Sequence, residues 1–168
     1  SRYYDVKNVV PVGLYRSDYI SLFKNSKAPE EILNAKRKGK KIIIILGFHS
    51  SEHWVESYSN PILNWTAQIN FLEDCIKLSK NLENTYIILR YKNLDWAQNQ
   101  YFEKVLDKIK KSENLTISNN YNELYFSYKL CAHADLVLAK HTSLADECLV
   151  NEIPVLFHEY THNMVKQI

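Results

Sequence analysis

The sequence predicts an α/β fold: a doubly wound parallel sheet of about five strands flanked by helices, in a single domain. Three observations carry this expectation. Short continuous apolar runs recur along the 168 residues. Segments with apolar residues at helical spacing lie between those runs. Only three glycines and four prolines interrupt the chain, too few for linkers or low-complexity tracts.

The elements follow in order. Val9-Val10-Pro11-Val12 reads as an extended lead-in or a first short strand. Pro29-Glu30-Glu31 opens a helix with proline and acids in its first turn, and Lys36-Arg37-Lys38-Gly39 closes it with cations and a glycine stop. Ile42 to Leu46 is apolar at every position, as a strand buried on both faces must be. Trp65, Ile69, Leu72 and Ile76 form one helical stripe, and Phe71, Cys75, Leu78 and Leu82 a second, which gives one helix a wide apolar face. Tyr86 to Leu89 is the second strand. Phe102, Val105, Leu106 and Ile109 mark a helix, and Leu115-Thr116-Ile117 a third strand. Tyr121, Leu124, Tyr125 and Tyr128 also fit helical spacing, with Asn120 and Glu123 placed as a capping pair. Leu136 to Ala139 is the fourth strand, a short helix follows Thr142 or Ser143, and Pro154 to Phe157 is the fifth strand. Right-handed crossovers then predict the strand order 3-2-1-4-5.

Composition excludes several classes. With 46% hydrophobic and 24% charged residues, the chain is not a disordered segment, a collagen or a coiled-coil rod. Its longest aliphatic run, Ile42 to Leu46, is far short of the roughly 20 residues a membrane span needs. A formal charge of +2 does not predict nucleic-acid binding. Cys75, Cys131 and Cys148 are odd in number and lack metal-ligand spacing, so free buried thiols in a cytoplasmic protein are expected. Met164 is the only methionine, so a fragment of a longer protein is expected.

The strand order has a functional consequence. Strands one and four become neighbours where the winding reverses, and ligands bind outside the carboxyl ends of the strands there. The loop after strand one carries Gly47, His49, Ser50, Ser51 and His53. Gly47 permits tight geometry or close approach of a ligand. His49 and His53 are the candidates for proton transfer or phosphate contact, although no catalytic residue is assigned. The loop after strand four carries Lys140, His141, Thr142 and Ser143. Backbone N–H groups and the dipole at a helix start favour an anion; the alternative is a plain helix N-cap at Thr142 or Ser143. Glu147 lies one turn further, placed to accept hydrogen bonds from a ribose diol or to be a solvated acid, with Asp146 as the competing candidate. Arg90 ends strand two, within reach of a base or diphosphate.

Two other patterns have simpler readings. His158-Glu159-Tyr160-Thr161-His162 matches the zinc-peptidase pattern, which requires both histidines on one face of a helix. It directly follows a strand, so no metal site is assigned, and Glu159 is read as part of the loop. The basic run Lys36 to Lys41 is a candidate for anionic lipid, but it reads better as the end of a helix.

The stretch from Ala134 to Phe157 resembles the donor-binding lobe of GT-B glycosyltransferases, through Ala134-Asp135, Thr142-Ser143, Glu147 and Pro154-Val155. Pro11 to Asp18 is similar to a segment leading into that lobe in bacterial surface-carbohydrate transferases. The resemblance implies a nucleotide-sugar-binding lobe with Thr142 and Ser143 on the phosphates and Glu147 on the ribose. It implies no metal or other cofactor, since helix dipoles and cations stabilise the leaving diphosphate. It implies a linker at residues 1–27 from a missing N-terminal lobe, and a Rossmann-like nucleotide-binding domain at 28–168. The acceptor, a glycan or glycolipid, is then met through the missing lobe, on the cytoplasmic side and peripheral to the inner membrane. A nucleotide-activated polyol phosphate as donor, a zinc peptidase and a non-enzymatic flavodoxin-like binding module are the alternatives.

Overall fold

The computed structural model describes residue 14 and residues 16–47, 65–120, 123–140 and 142–158. Its helices are α1 (Ser17–Lys24), α2 (Glu30–Arg37), α3 (Trp65–Asn81), α4 (Glu103–Lys110), α5 (Phe126–Ala132) and α6 (Ser143–Val150). Its strands are β1 (Lys41–Leu46), β2 (Thr85–Arg90), β3 (Leu115–Ser118), β4 (Leu136–Ala139) and β5 (Val155–Phe157). Two short 3-10 turns, Asp95–Gln98 and Gln100–Phe102, lead into α4. The five strands form one sheet in the order β3-β2-β1-β4-β5, every pairing parallel. The fold is Rossmann-like and doubly wound, as the alternating pattern predicts.

The continuous apolar run of β1 is explained by its two faces. Ile42, Ile44 and Leu46 point into a core shared with Ile20 of α1, Ile32 of α2, Leu130 of α5 and Cys148 of α6. Ile43 and Ile45 point into the opposite core, against Leu72 of α3 and Val105 of α4. Burying an isoleucine is worth about 1.5–3 kcal/mol, so an alternating strand could not replace this one. β1 is also tied at its amino end. The Ile42 N–H donates to Asp135 Oδ2 at 2.8 Å, and Lys41 Nζ lies 3.2 Å from Asp135 Oδ1. The Asp135 of the GT-B resemblance is thus a structural anchor at the end of the sheet away from the strand carboxyl ends.

Helix ends follow the sequence signals in several places. α2 starts after Pro29 and stops at Lys38 and Gly39, which has φ +73°. Its basic residues are used locally: Arg37 bonds Glu30 and Asn34, Lys40 bonds Asn114, and Lys41 pairs with Asp135. Cys75, Cys131 and Cys148 are buried and unbridged.

Three features differ from expectation. Within the expected linker, Ser17–Lys24 is helical, and Ile20 is fully buried against α5 and α6. Asn151 clasps this helix: its Oδ1 accepts from Ser21 Oγ at 2.6 Å, and its Nδ2 donates to the Ser17 carbonyl at 2.9 Å. α1 has one buried apolar residue, too little for a periodic signal. Next, α5 begins at Phe126, so the stripe through Leu124, Tyr125 and Tyr128 is not its core face. Leu124 is 75% exposed, and the buried residues are Phe126, Leu130 and Cys131. Tyr125 sits in the left-handed region at φ 62°, which stops the helix from extending backwards. Asn120 and Glu123 meet side chain to side chain at 3.4 Å and do not cap a helix. Finally, β5 takes the edge place that the strand order predicts, but its apolar run is not buried: Leu156 and Phe157 are exposed. Pro154 suits that edge, because its carbonyl accepts from the Val137 N–H while its missing donor costs nothing.

Candidate functional site

Parallel pairing brings the strand carboxyl ends together. Leu46 is in register with Arg90 on one side and with Ala139 on the other. Gly47 and Lys140 therefore emerge side by side, at the point where the winding reverses.

Gly47 is fixed by its surroundings. Its N–H donates to the Arg90 carbonyl at 2.8 Å. A Cβ at this position would meet the ring of Tyr91 at 2.3 Å. The group that approaches this glycine closely is a side chain of the chain itself. Tyr91 is buried, and its hydroxyl accepts from Gln68 Nε2 at 2.8 Å.

Arg90 was expected to reach a base or diphosphate. It is only 8% exposed, and its guanidinium is engaged by protein groups. Nε donates to Ser127 Oγ and Nη1 to the Asn120 carbonyl, both at 2.9 Å, and the group stacks on Phe126 at 5.5 Å from the ring centroid. It ties the end of β2 to the β3–α5 connection. Burial pushes the nearby Glu31 carboxyl above its usual range, with the positive charge of Arg90 opposing.

The segment after β4 is described at Lys140, Thr142 and Ser143. Lys140 is 7% exposed at the strand end. Thr142 is extended and its side chain makes no capping bond, while its carbonyl accepts the Ala145 N–H at 3.0 Å. Ser143 is the first residue of α6. Thr142 is therefore in the N-cap place without performing a side-chain cap. His141, and His49, Ser50, Ser51 and His53 of the β1 loop, lie outside the described residues.

Glu147 is not a solvated surface acid. It is 2% exposed, and its Oε2 has no hydrogen-bond partner. Tyr128 of α5 lies near enough to Glu147 and Arg16 for both to bear on its hydroxyl. The Tyr128 hydroxyl is pushed up to about 12, by burial first and then by the Glu147 bond and charge, with Arg16 opposing. Tyr128 packs edge-on against Tyr19 and Tyr125, with ring centroids 5.5 and 5.9 Å away.

His158 extends the β5 ladder: its N–H donates to the Ala139 carbonyl at 2.9 Å, and its ring stacks on Phe71. It stands on a sheet edge and not on a helix, as the zinc-peptidase geometry would require; Glu159 and His162 lie outside the described residues. Among the described residues no group of three metal-binding side chains converges, and no helix is long and apolar enough to cross a membrane.

Sequence reasoning missed the clefts beside β3. One, of about 590 Å³, is lined by Lys27, Glu31, Ser118, Asn119, Asn120 and Lys129 among others. The other, of about 450 Å³, follows the outer edge of β3 past Leu106, Ile109 and Ile117. The polar pair Asn119-Asn120 after a strand was the available signal for the first.

No protein-family model and no curated protein matches the chain. Solved structures do. The chain is similar to the wall teichoic acid polymerase TagF, in a histidine-to-asparagine variant soaked with CDPG, at TM-score 0.51 and 17% identity over 90% of this chain. A second TagF structure aligns at TM-score 0.44 and 16% identity. The chain spans about a third of TagF, 32% in both alignments. At this identity the likeness establishes the fold.

Proposed function

We propose that this chain is the donor-binding lobe of a GT-B-type glycosyltransferase, or polymerase of the same build, that makes a bacterial cell-surface polymer. The observation that carries the reading is the arrangement after β4. Lys140 ends a strand at the reversal of a 3-2-1-4-5 sheet, α6 opens at Ser143 with no side-chain cap from Thr142, and Glu147 lies one turn along with an unpartnered oxygen. Crevices at this point of a doubly wound sheet hold nucleotides. The uncapped N–H groups and the positive helix end suit a diphosphate. Lys140 adds charge, Thr142 and Ser143 add hydroxyl donors, and Glu147 accepts a ribose diol. Gly47, His49 and Ser50, which follow β1 in sequence, and His141, which follows β4, are proposed to complete the contacts. Arg90 shapes the β3–α5 wall from behind.

Residues 28–168 are proposed as the nucleotide-binding domain and residues 1–27 as the segment leading into it, with α1 packed on its core. The acceptor site and the catalytic base are assigned to the remainder of a longer protein, so the isolated chain binds donor without turnover. Support comes from the TagF likeness: that polymerase is about three times the matched length. The alternative donor class, a nucleotide-activated polyol phosphate, is proposed for the same crevice; the TagF structure was soaked with CDPG.

Amide NMR titration with CDPG, UDP, CDP, CMP, GDP and ADP tests the reading. Shifts clustered at Gly47–His53 and Lys140–Glu147 with one nucleotide are expected, and Glu147→Gln should weaken them. Saturable shifts elsewhere, or none with any of these ligands, would overturn it.

A further inference from the structure

All strand pairings are parallel, so the amino ends of the strands share one end of the sheet, away from the crevice. β3, β2 and β1 are neighbours there, and each follows a helix through a short connection. The three connections are bonded to one another. The Lys41 N–H donates to the Asn84 carbonyl at 2.9 Å, Lys40 Nζ donates to Asn114 Oδ1, and Asn114 Nδ2 donates to the Glu83 carbonyl at 3.5 Å. They therefore form one continuous surface. Residues 36–41, 80–84 and 110–114 carry Lys36, Arg37, Lys38, Lys40, Lys41, Lys80, Lys110 and Lys111 against Glu83 and Glu113. The formal charge of the whole chain is only +2, so the rest of it is net acidic and positive charge is concentrated here.

Local roles absorb part of this charge. Lys36, Arg37, Lys80 and Lys110 stand in last turns, where a cation complements the helix dipole. That effect falls off within the turn, and Lys38, Lys40, Lys41 and Lys111 follow it. Arg37 pairs with Glu30, Lys41 with Asp135 and Lys110 with Asp107. Lys36, Lys38, Lys80 and Lys111 are exposed and make no ion pair among the described residues. From β3 to β1 is two strand spacings, about 10 Å. That is close to the Debye length at physiological salt, so the four charges act on one partner together.

We propose that this end of the sheet is a docking surface for an anionic lipid bilayer. The cations are lysines except for Arg37, which is held by Glu30 and Asn34. Lysine is a hydrated point charge suited to a diffuse anionic surface, whereas nucleic acid is gripped by arginine forks and stacking rings. The three connections contain no aromatic residue. Leu82 is exposed among the cations, placed to enter the lipid interface. Clusters of four to eight lysines gain affinity from the negative potential of such a surface. The inference goes beyond the donor reading and does not rest on it, because the crevice lies about 20 Å away, at the other end of β1.

Flotation with vesicles tests the proposal, using phosphatidylcholine alone or with phosphatidylglycerol at about one lipid in three. Two triple variants lose the same net charge: Lys38→Gln, Lys80→Gln and Lys111→Gln on the proposed surface, and Lys27→Gln, Lys92→Gln and Lys104→Gln elsewhere. Wild type is expected to bind only the anionic vesicles and to be released in 0.5 M salt. The first triple should weaken binding about a hundredfold and the second far less. No binding to anionic vesicles, or equal losses in the two triples, would overturn the proposal. So would tighter binding of polyadenylate with the same dependence on Lys38, Lys80 and Lys111, which would assign the surface to RNA. A measurement on wild type covers the case of a variant that does not fold. Nanodiscs of the anionic mixture carrying a gadolinium lipid should broaden the amides of Lys38, Leu82 and Lys111 and spare Gly47 and Ser143, and the reverse pattern would sink the idea.

Discussion

The ring of Tyr91 occupies the space that a side chain on Gly47 would need: a Cβ there would lie 2.3 Å from Tyr91 Cε1 and 2.5 Å from Cζ. The ring cannot step aside, because it is buried and its hydroxyl is bonded to Gln68. Gly47→Ala should therefore cost about 1–3 kcal/mol, the usual range for overpacking. Tyr91→Leu should recover part of the loss in the double variant. Urea unfolding of the four proteins measures the coupling, and additive effects would show that the two residues do not compete for this space.

Arg90 holds Asn120 of the β3–α5 connection and Phe126 and Ser127 at the start of α5. Arg90→Met keeps the stem but leaves Ser127 Oγ and the Asn120 carbonyl without their donor. A loss of about 2–3 kcal/mol is expected, since charge-assisted bonds are being removed from a buried site. Hydrogen exchange should quicken first at the start of α5. Unchanged protection there would contradict the clamp.

Asp135 should make stability depend on acid pH. Burial raises its carboxyl, but the Ile42 N–H bond and the Lys41 bond and charge outweigh that and bring it below its usual value. A lowered carboxyl favours the folded state above the unfolded value of about 3.9, and the contribution is lost as pH falls through the lower folded value. Asp135→Asn should cost about 1 kcal/mol at pH 7. Its deficit should shrink below about pH 4 as the wild-type carboxylate takes up its proton. A deficit that stays constant from pH 7 to 3 would remove the carboxylate charge from the account.

Lys140 is expected to act on phosphate charge. Lys140→Met should weaken a nucleoside diphosphate about tenfold more than the matching nucleoside, and the difference should narrow in 0.5 M salt. Equal losses for both ligands would mean that Lys140 supports the loop and does not meet the anion.

Cys75 should resist alkylation in the native protein. Burial pushes its thiol up to about 12, with Asp74 adding to the shift. Little thiolate is available at neutral pH, and the nucleophile is the thiolate. Mass spectrometry after iodoacetamide treatment should show modification only under unfolding conditions.

Much of the architecture was legible in sequence because burial writes a period. A strand covered on both faces must be apolar throughout, and Ile42 to Leu46 is. A crossover helix must be apolar on one side, and α3 is, through Phe71, Leu72, Cys75 and Ile76. With alternating elements and right-handed crossovers, the order 3-2-1-4-5 and the place where it reverses follow. Gly47 and the segment from Lys140 to Ser143 were placed at that reversal by this reasoning alone.

What a side chain meets there has no period. The sequence put Arg90 at a strand end, but only packing turned its guanidinium onto Ser127 and Asn120. It put Tyr125 in a helical stripe, but the left-handed backbone at that residue starts the helix one position later and buries Phe126 instead. It put Glu147 one turn into α6, but only packing buried this carboxylate and left its Oε2 without a hydrogen-bond partner. Local spacing determines which elements form and how they wind, because burial acts on every residue of an element alike. The partner of a single polar group is decided by tertiary contact, because hydrogen bonds are short and directional and their two ends are distant in sequence.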